Sequence, residues 1–214
     1  MAADAPGPVG GRAKRALDLA VALPLAVVLA PVMAAVAFAV RRDSPGPALF
    51  RQQRIGYAGR PFTLLKFRTM VVGAEGMGAG LAVLADDTRI TPFGNRLRHL
   101  SLDELPQLWN IVRGDMSLVG PRPTVASQVE RYDARQRRRL LARPGLTGLA
   151  QVSGRNAIPW SERIEIDITY VERWTLRRDL AIILRTALVV LRREGTYKGP
   201  RGGFDLPGPG AADG

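Results

Sequence analysis

A long apolar segment, Leu19 to Val40, constrains the fold of this chain more than any other feature. None of its side chains is charged or strongly polar. As one straight helix the segment would rise about 33 Å, enough to cross the hydrocarbon core of a bilayer. It is too long for the apolar region of a cleavable signal peptide, and no clean cleavage site follows it. We therefore expect it to enter a membrane, with a buried helix of a soluble protein as the alternative.

Prolines and flanking charges argue against a simple span. Pro24 and Pro31 interrupt the segment, and an internal proline removes a backbone hydrogen bond and kinks a helix. Both flanks are basic, whereas the positive-inside rule gives a spanning helix one basic flank. A helix that enters the membrane, bends at Pro31 and returns satisfies both observations, and a straight span stays the alternative. The flanking basic residues are Arg12, Lys14 and Arg15 before the segment, and Arg41, Arg42, Arg51 and Arg54 after it.

The chain is strongly basic, with 31 Lys and Arg residues against 19 Asp and Glu and a net charge of +12. Most of the basic residues are arginine, whose planar fork matches two phosphate oxygens at once. This charge predicts a polyanion, an anionic membrane surface or a phosphorylated small molecule as a partner. The lack of cysteine excludes disulfides and thiolate metal sites, and the single histidine, His99, excludes a site with several histidine ligands.

Composition divides the chain into four segments. Residues 1–11 and 199–214 are rich in Gly, Pro and Ala, and we expect them to be disordered tails. Residues 12–42 hold the membrane helix. Residues 43–198 contain neither an internal repeat nor a second linker, which indicates one globular domain.

Residue patterns after the apolar segment predict a mainly helical α/β domain with a small β-element. Two short strands are expected at 48–52 and 62–67, around a turn at 56–59. The last helix carries an apolar stripe bordered by arginines, so it either packs into the core or lies as an amphipathic helix on the membrane surface. The expected helices are 91–98, one from Ser101 or Asp103 to just before Gly114, 124–142, 160–175, and the stripe helix with Leu180, Ile183, Leu184, Ala187, Leu188 and Leu191.

An adjacent acid pair, Asp103-Glu104, stands in the most organised stretch of the sequence. Ser101 and Glu104 fit a capping box, and Pro106 also allows Asp103 to be the N-cap. Either arrangement puts both carboxylates at a helix N-terminus, where the dipole favours their ionised form. A nucleophile or a magnesium ligand must be ionised. Neighbouring helical residues point about 100° apart, so the two acids have different roles, which the spacing does not rank.

Several basic residues are candidates for binding phosphate. Arg122 lies in the stiff turn Gly120-Pro-Arg-Pro123, whose prolines limit its backbone states. Lys66 and Arg68 alternate along one strand and are expected to point the same way. An ordinary surface turn or an exposed strand face is the alternative in each case. The other candidates are Arg98, next to His99, and two arginines in glycine-containing turns, Arg143 and Arg155.

Five stretches of the sequence together resemble one protein family, the bacterial sugar transferases known as monotopic phosphoglycosyl transferases. The resemblance runs in order over about residues 13–193, and the single apolar segment is similar to the small form of the family. The stretches are Lys14-Arg15-Ala-Leu-Asp18, Lys66-Phe-Arg-Thr-Met70, Ser101-Leu-Asp-Glu-Leu-Pro-Gln-Leu108, Gly114-Asp-Met-Ser-Leu-Val-Gly-Pro-Arg-Pro123 and Arg143-Pro-Gly-Leu-Thr-Gly-Leu-Ala-Gln-Val-Ser-Gly-Arg-Asn156.

The resemblance implies an enzyme that moves a phospho-sugar from a UDP-sugar to polyprenyl (undecaprenyl) phosphate and releases UMP. This is the initiating membrane step of bacterial polysaccharide or glycoconjugate synthesis. The resemblance implies that Asp103 is the nucleophile and forms a covalent phospho-sugar intermediate. It implies that Glu104 is a second essential acid, whose role stays open between metal binding and proton transfer. It also implies Mg²⁺, with Asp103 as a ligand, to neutralise the diphosphate.

The resemblance also implies a location. The helix at 12–42 would be re-entrant, kinked at Pro31, with both ends cytoplasmic, and the catalytic domain at 43–198 would lie on the cytoplasmic face of the inner membrane. A membrane-tethered nucleic-acid-binding module explains the charge but neither the acid pair nor the apolar segment, so no nucleic acid is expected. An inactive scaffold is the third reading, and the intact acid pair argues against it. A homodimer stays open.

Overall fold

The computed structural model describes residues 7–77, 87–154 and 158–191. Within them the chain is mainly helical with a small β-element, as the residue patterns predict, and a second two-stranded sheet was not predicted. The helices are α1 (Gly11–Val28), α2 (Ala30–Asp43), α3 (Pro92–His99), α4 (Gln107–Arg113), α5 (Ala126–Val129), α6 (Leu149–Ser153), α7 (Trp160–Glu172) and α8 (Leu176–Leu191). The strands are β1 (Leu49–Ile55), β2 (Pro61–Phe67), β3 (Ser117–Val119) and β4 (Gly145–Thr147).

The apolar segment lies in two helices, α1 and α2, which meet at Leu29 with a bend of 59°. α1 continues through Pro24, whereas Pro31 stands in the first turn of α2. The break thus lies where Pro31 cannot donate a hydrogen bond back into α1. Taken singly, none of the described helices has the length and apolar character to cross a bilayer. The bent pair together reaches both by length and composition.

An antiparallel hairpin of β1 and β2 follows the helix pair. The strands predicted at 48–52 and 62–67 are confirmed, and β1 extends three residues further. Directly opposed residues of a hairpin point to the same face, so Gln52, Arg54 and Lys66 share one face. The opposed pairs on that face are Phe50 with Lys66, Gln52 with Leu64, and Arg54 with Phe62.

A short parallel pair, β3 with β4, brings two conspicuous turns together. Gly120 follows β3, and Arg143 and Pro144 precede β4. A Cβ atom at Gly120 would lie 2.3 Å from the carbonyl oxygen of Arg143, so only glycine permits this approach. The Gly120–Pro123 turn is therefore held against the chain that leads into β4.

The first and last described helices are joined by a buried polar cluster. Lys14 of α1 forms an ion pair with Asp179 of α8, with 2.6 Å between Nζ and Oδ2. Tyr170 of α7 accepts a hydrogen bond from Lys14 and donates one of 2.7 Å to Asp179, and Trp174 donates another of 2.9 Å. Burial, followed by the charge of Asp179, raises the pKa of Tyr170 and keeps its hydroxyl protonated. This cluster fixes the start of the apolar segment to the C-terminal helices.

Two predictions about helices require correction. The helix expected at 124–142 is a single turn, α5, and a 3₁₀ segment at Gln136–Leu141. The Asp133 side chain accepts a hydrogen bond of 2.7 Å from the Gln136 amide and forms a turn between them. The prediction that the α8 stripe packs into the core is also wrong for Leu180, Leu184 and Leu188, because α8 buries Asp179 and Ile182 instead. Leu180, Leu184 and Leu188 are 46%, 70% and 54% exposed.

Candidate active site

The acid pair lies in a 3₁₀ turn, Leu102–Glu104, directly before α4. Ser101 precedes the turn in a left-handed conformation, with φ of 56°, and its side chain caps nothing. The predicted capping box is therefore wrong, and so is Asp103 as the N-cap, because Pro106 occupies that place before α4. The prediction that the helix ends before Gly114 is confirmed, since Gly114 caps it with φ of 93°.

Glu104 is held by two cations at one carboxylate oxygen. Lys66 Nζ lies 2.7 Å from Oε1, and Arg122 Nη2 lies 3.3 Å from the same atom. Burial raises the pKa of Glu104, but Lys66 and Arg122 outweigh it and lower that pKa to about 2. Glu104 is therefore ionised at every pH at which a protein of this kind works, as expected for a carboxylate at this site.

Asp103 has a different environment. It is only 8% exposed, and among the described residues its one ion contact is with Lys66, 3.8 Å from Nζ to Oδ2. Burial raises the pKa of Asp103, and the charge of Glu104 adds to the rise, while Lys66 and Arg98 oppose it. The direction is opposite to the one expected from the helix dipole alone. The two acids thus have different environments: Glu104 is neutralised by a double ion pair, and Asp103 is a less compensated carboxylate.

The acid pair has the carboxylates needed to bind a metal ion that is also bound by a phosphate ligand. In the described parts of the chain, no three His, Cys, Asp or Glu side chains gather as ligands. Mg²⁺ is commonly bound by one or two carboxylates together with substrate phosphates, and a third protein ligand is then unnecessary. Asp103 and Glu104 supply two such carboxylates, so the residues present fit Mg²⁺ bound with a diphosphate.

A buried arginine, Arg139, stabilises the turn that contains Arg122. Arg139 is 2% exposed and donates a hydrogen bond of 3.2 Å to the backbone carbonyl of Arg122. Arg139 is itself fixed by Asp167, at 2.5 Å, and by the Tyr132 hydroxyl. The backbone on the other side is tied to β1, because the Ile55 amide donates to the carbonyl of Thr124 at 2.8 Å. The sequence showed a stiff turn, and the structure shows what orients it toward Glu104.

The structure separates Lys66 from Arg68, contrary to the prediction that they point the same way. β2 ends at Phe67, and Arg68 turns toward the end of α2. Its guanidinium makes five hydrogen bonds, to the Ser44 hydroxyl and to backbone carbonyls of Val40, Ser44, Pro45 and Pro47. All five N–H groups are occupied, so Arg68 stabilises the C-terminus of α2 and has no donor left for phosphate.

The remaining predicted phosphate ligands differ in their placement. Arg98 lines the same cavity as the acid pair, and its charge acts on Asp103. Arg143 does not line the cavity of the acid pair, and its charged neighbours include Arg15 and Asp18 of α1. Arg155 lies outside the described residues.

Three polar residues near the site were missed as site residues from the sequence. Arg54 and Gln52 share the hairpin face of Lys66, and Arg54 Nη1 donates to the carbonyl of Pro123 at 3.4 Å. Arg139 supports Arg122 from the 3₁₀ segment. The alternation of Gln52 and Arg54 along β1 is visible in the sequence, but its register against Lys66 is not.

The acid pair opens into a cavity of about 1620 Å³. One part of its wall carries the charged groups Lys66, Arg98 and Arg122. Another part is apolar and comes from the bent helix pair, with Val21, Leu25 and Phe38. A single cavity is therefore lined by both a cationic surface and an apolar surface.

Comparison with known proteins gives matches over most of the chain. Residues 9–193 match the family model described as bacterial sugar transferase. The chain is 42% identical over 198 residues to the undecaprenyl-phosphate galactose phosphotransferase of Salmonella typhimurium. It is 46% identical over 192 residues to the UDP-glucose:undecaprenyl-phosphate glucose-1-phosphate transferase of Caulobacter vibrioides, and 41% over 204 residues to the exopolysaccharide production protein ExoY of Sinorhizobium fredii.

The matched regions differ in their share of each relative. They cover 86%, 86% and 89% of this chain in that order. They cover 41%, 72% and 90% of the three relatives. The chain thus spans less than half of the Salmonella protein and most of the Sinorhizobium protein.

Proposed function

The chain belongs to the bacterial sugar transferase family, and from that premise we propose that it transfers a sugar phosphate from a UDP-sugar to undecaprenyl phosphate and releases UMP. The names of the Salmonella and Caulobacter relatives support this substrate pair. The name of the Sinorhizobium relative supports a role in exopolysaccharide synthesis.

One observation carries the proposal: a buried carboxylate, Asp103, stands beside cations at the wall of a large cavity. Lys66 and Arg122 already bind the neighbouring Glu104, and Arg98 acts on Asp103 itself. Such cations would hold the diphosphate of the donor and offset the repulsion between it and an attacking carboxylate. Asp103 is the better nucleophile of the two acids, because its charge is less compensated than that of Glu104.

The reaction then proceeds in two displacements. An oxygen of Asp103 forms a bond to the phosphorus that carries the sugar, and the bond from that phosphorus to the bridging oxygen breaks. The electron pair stays on the bridging oxygen, which leaves with UMP. An oxygen of undecaprenyl phosphate next attacks the same phosphorus, and the Asp103 carboxylate is released. Glu104 holds Lys66 and Arg122 in position throughout.

Mg²⁺ belongs to the proposal as a cofactor bound with the donor. Asp103, with Glu104 beside it, would hold the ion on the protein side. The ion would supply neutralisation of the diphosphate charge. Lys66 Nζ, at 3.8 Å from Asp103 Oδ2, would help to orient that carboxylate.

The apolar surfaces support a membrane location. The bent pair α1–α2 exposes large side chains, among them Val27, Val28 and Phe38, at 62% to 69%. The exposed leucines of α8 suit an interfacial helix, which was the other reading of its stripe. We propose a re-entrant segment in the bacterial inner membrane, with the site on the cytoplasmic face, where the cavity receives a soluble nucleotide and a lipid phosphate.

The test is UMP release by the whole protein in detergent with Mg²⁺ and undecaprenyl phosphate, across a panel of UDP-sugars. At least one UDP-sugar should give UMP in an amount equal to the glycolipid formed. Asp103→Asn serves as the inactive control. If no UDP-sugar yields UMP, or if UMP appears without glycolipid, the proposed transfer is wrong.

A further inference from the structure

Arg54 is a partly buried arginine whose hydrogen-bonding capacity is largely unused. Its Nη1 donates to the carbonyl of Pro123 at 3.4 Å, and its Nη2 donates to the side-chain oxygen of Gln52. Its Nε is shielded from solvent and meets no acceptor among the described residues. Arg68 offers a direct contrast, because its five donors all meet protein acceptors. Arg54 is therefore not explained as a structural cap.

Among the described residues, the charge of Arg54 is only partly offset, by Glu75 at a distance. No carboxylate of the described residues lies within ion-pair distance of it. The nearest candidate, Glu75, accepts a hydrogen bond from Gln52 instead. Burial and the charge of Arg122 lower the pKa of Arg54 to about 10, so the two guanidinium groups repel each other. A buried cation without a counter-ion is costly, and an anion held between two arginines removes that cost.

The position of Arg54 identifies the anion. Arg122 reaches Glu104 on one side, and the Pro123 carbonyl next to it contacts Arg54. Both arginines line the cavity that contains the acid pair. In this series of contacts, Arg122 thus lies between Arg54 and the acid pair. A nucleoside diphosphate sugar has two phosphates, of which only the sugar-bearing one must lie against Asp103.

We propose that Arg54 and Arg122 form a two-arginine subsite for the second phosphate of the donor, the one that leaves with the nucleotide. The inference rests on the proposed function. When the bond to the bridging oxygen breaks, this phosphate gains a negative charge, and the fork of Arg54 provides unused donors for it. Gln52 holds the guanidinium in place.

The test compares Arg54→Gln and Arg54→Lys with the wild type, and uses Arg96→Gln as a matched control. Arg96 is exposed on α3 and lies outside the cavity wall. The probe is UMP, bound to the whole protein in detergent and measured by calorimetry. Arg54→Gln should weaken UMP binding about 10- to 100-fold, and Arg96→Gln should change it less than twofold. Arg54→Lys keeps the charge but loses the fork, so it should fall between them.

The acceptor distinguishes the two sources of phosphate. In Arg54→Gln the KM for undecaprenyl phosphate should stay near the wild-type value. If Arg54→Gln instead raises the KM for undecaprenyl phosphate and leaves UMP binding normal, Arg54 binds the lipid phosphate and the proposal is wrong. If Arg54→Gln does not fold, Arg54→Lys decides, and wild-type UMP affinity in that variant overturns it.

The inference and the proposed function fail in different ways. If the wild type binds UMP through Arg54 but turns over no UDP-sugar, the subsite is supported and the proposed function is wrong. If the wild type is active but Arg54→Gln leaves the UMP affinity unchanged, the proposed function is supported and the subsite is wrong.

Discussion

Asp103 and Glu104 are adjacent carboxylates, but they lie at different distances from the same lysine, Lys66. Lys66 lies 2.7 Å from Glu104 and 3.8 Å from Asp103, and Arg122 forms an ion pair with Glu104 but acts on Asp103 only from a distance. The result is one carboxylate with a pKa of about 2 and one whose pKa is raised by burial. Pushing the pKa values of paired acids apart is a common way to assign them separate roles.

The pH dependence of adduct formation should report Asp103 alone. Because burial raises its pKa, phospho-sugar transfer to Asp103 should fall on acidification at a pH above that of an ordinary carboxyl group. Glu104 stays ionised over that range and contributes nothing. Lys66→Met removes a charge that lowers the pKa of Asp103, so the acid limb should move to higher pH. Single-turnover rates with UDP-sugar, measured against pH, check the direction, and a shift to lower pH contradicts it.

The sequence identified the acid pair, the Arg122 turn and Lys66, because each is marked by a local pattern. It did not distinguish Arg68 from Arg54. Both are arginines on or beside a strand, and their difference depends on acceptors supplied by the turn after α2 and by Pro123. Such contacts join residues far apart in the chain, so no local pattern contains them.

Among the elements, the broken helix α1–α2 was the best predicted, because prolines and charge act locally. The helix expected at 124–142 failed for the opposite reason. Its arginine-rich pattern suits a solvent-exposed helix, but Arg139 is buried and forms an ion pair of 2.5 Å with Asp167. The α8 stripe shows a similar limit, since periodicity identifies an apolar face but not whether protein or lipid covers it.

The bend at Leu29 gives a test at this scale. Pro31→Ala restores the missing backbone donor, so α1 and α2 should join into a straighter helix whose ends lie on opposite sides of the membrane. The chain has no cysteine, so Ala13→Cys and Arg42→Cys give single labelling sites. An impermeant thiol reagent should reach both sites from the same side with Pro31 present, and from opposite sides in Pro31→Ala. Unchanged labelling would show that another residue sets the bend.

At the scale of the whole molecule, buried polar contacts join the apolar helix α1 to the elements that follow the hairpin. Lys14 and Asp179 join α1 to α8 through a fully buried pair, and Asp18 of α1 accepts hydrogen bonds from Ser117, at 2.8 Å, and the Leu118 amide, at 2.9 Å. The cavity has walls from both parts. The geometry of the site therefore depends on the seating of the apolar helices.

Removing one partner of the buried pair should loosen this seating. Asp179→Ala leaves the Lys14 charge buried without its counter-ion, which should cost about 3–5 kcal/mol of stability. Thermal unfolding in detergent should show a clear loss. The double variant Lys14→Met with Asp179→Leu should recover part of it, because neither member of the pair is left as a lone charge, although Asp18 loses the nearby charge of Lys14. A single variant as stable as the wild type would mean that the pair does not hold α1 to α8.

The proposed mechanism depends most on Asp103 as the attacking group, and the mass of the protein tests this role directly. Incubated with an active UDP-sugar and Mg²⁺ but without lipid, the wild type should gain the mass of one phospho-sugar, located by peptide mapping on Asp103. Undecaprenyl phosphate should then remove it. Asp103→Asn should stay unmodified and fold at least as stably, because it loses a buried charge. An unmodified wild type that still turns over with lipid, or a modified Asp103→Asn, would contradict the mechanism.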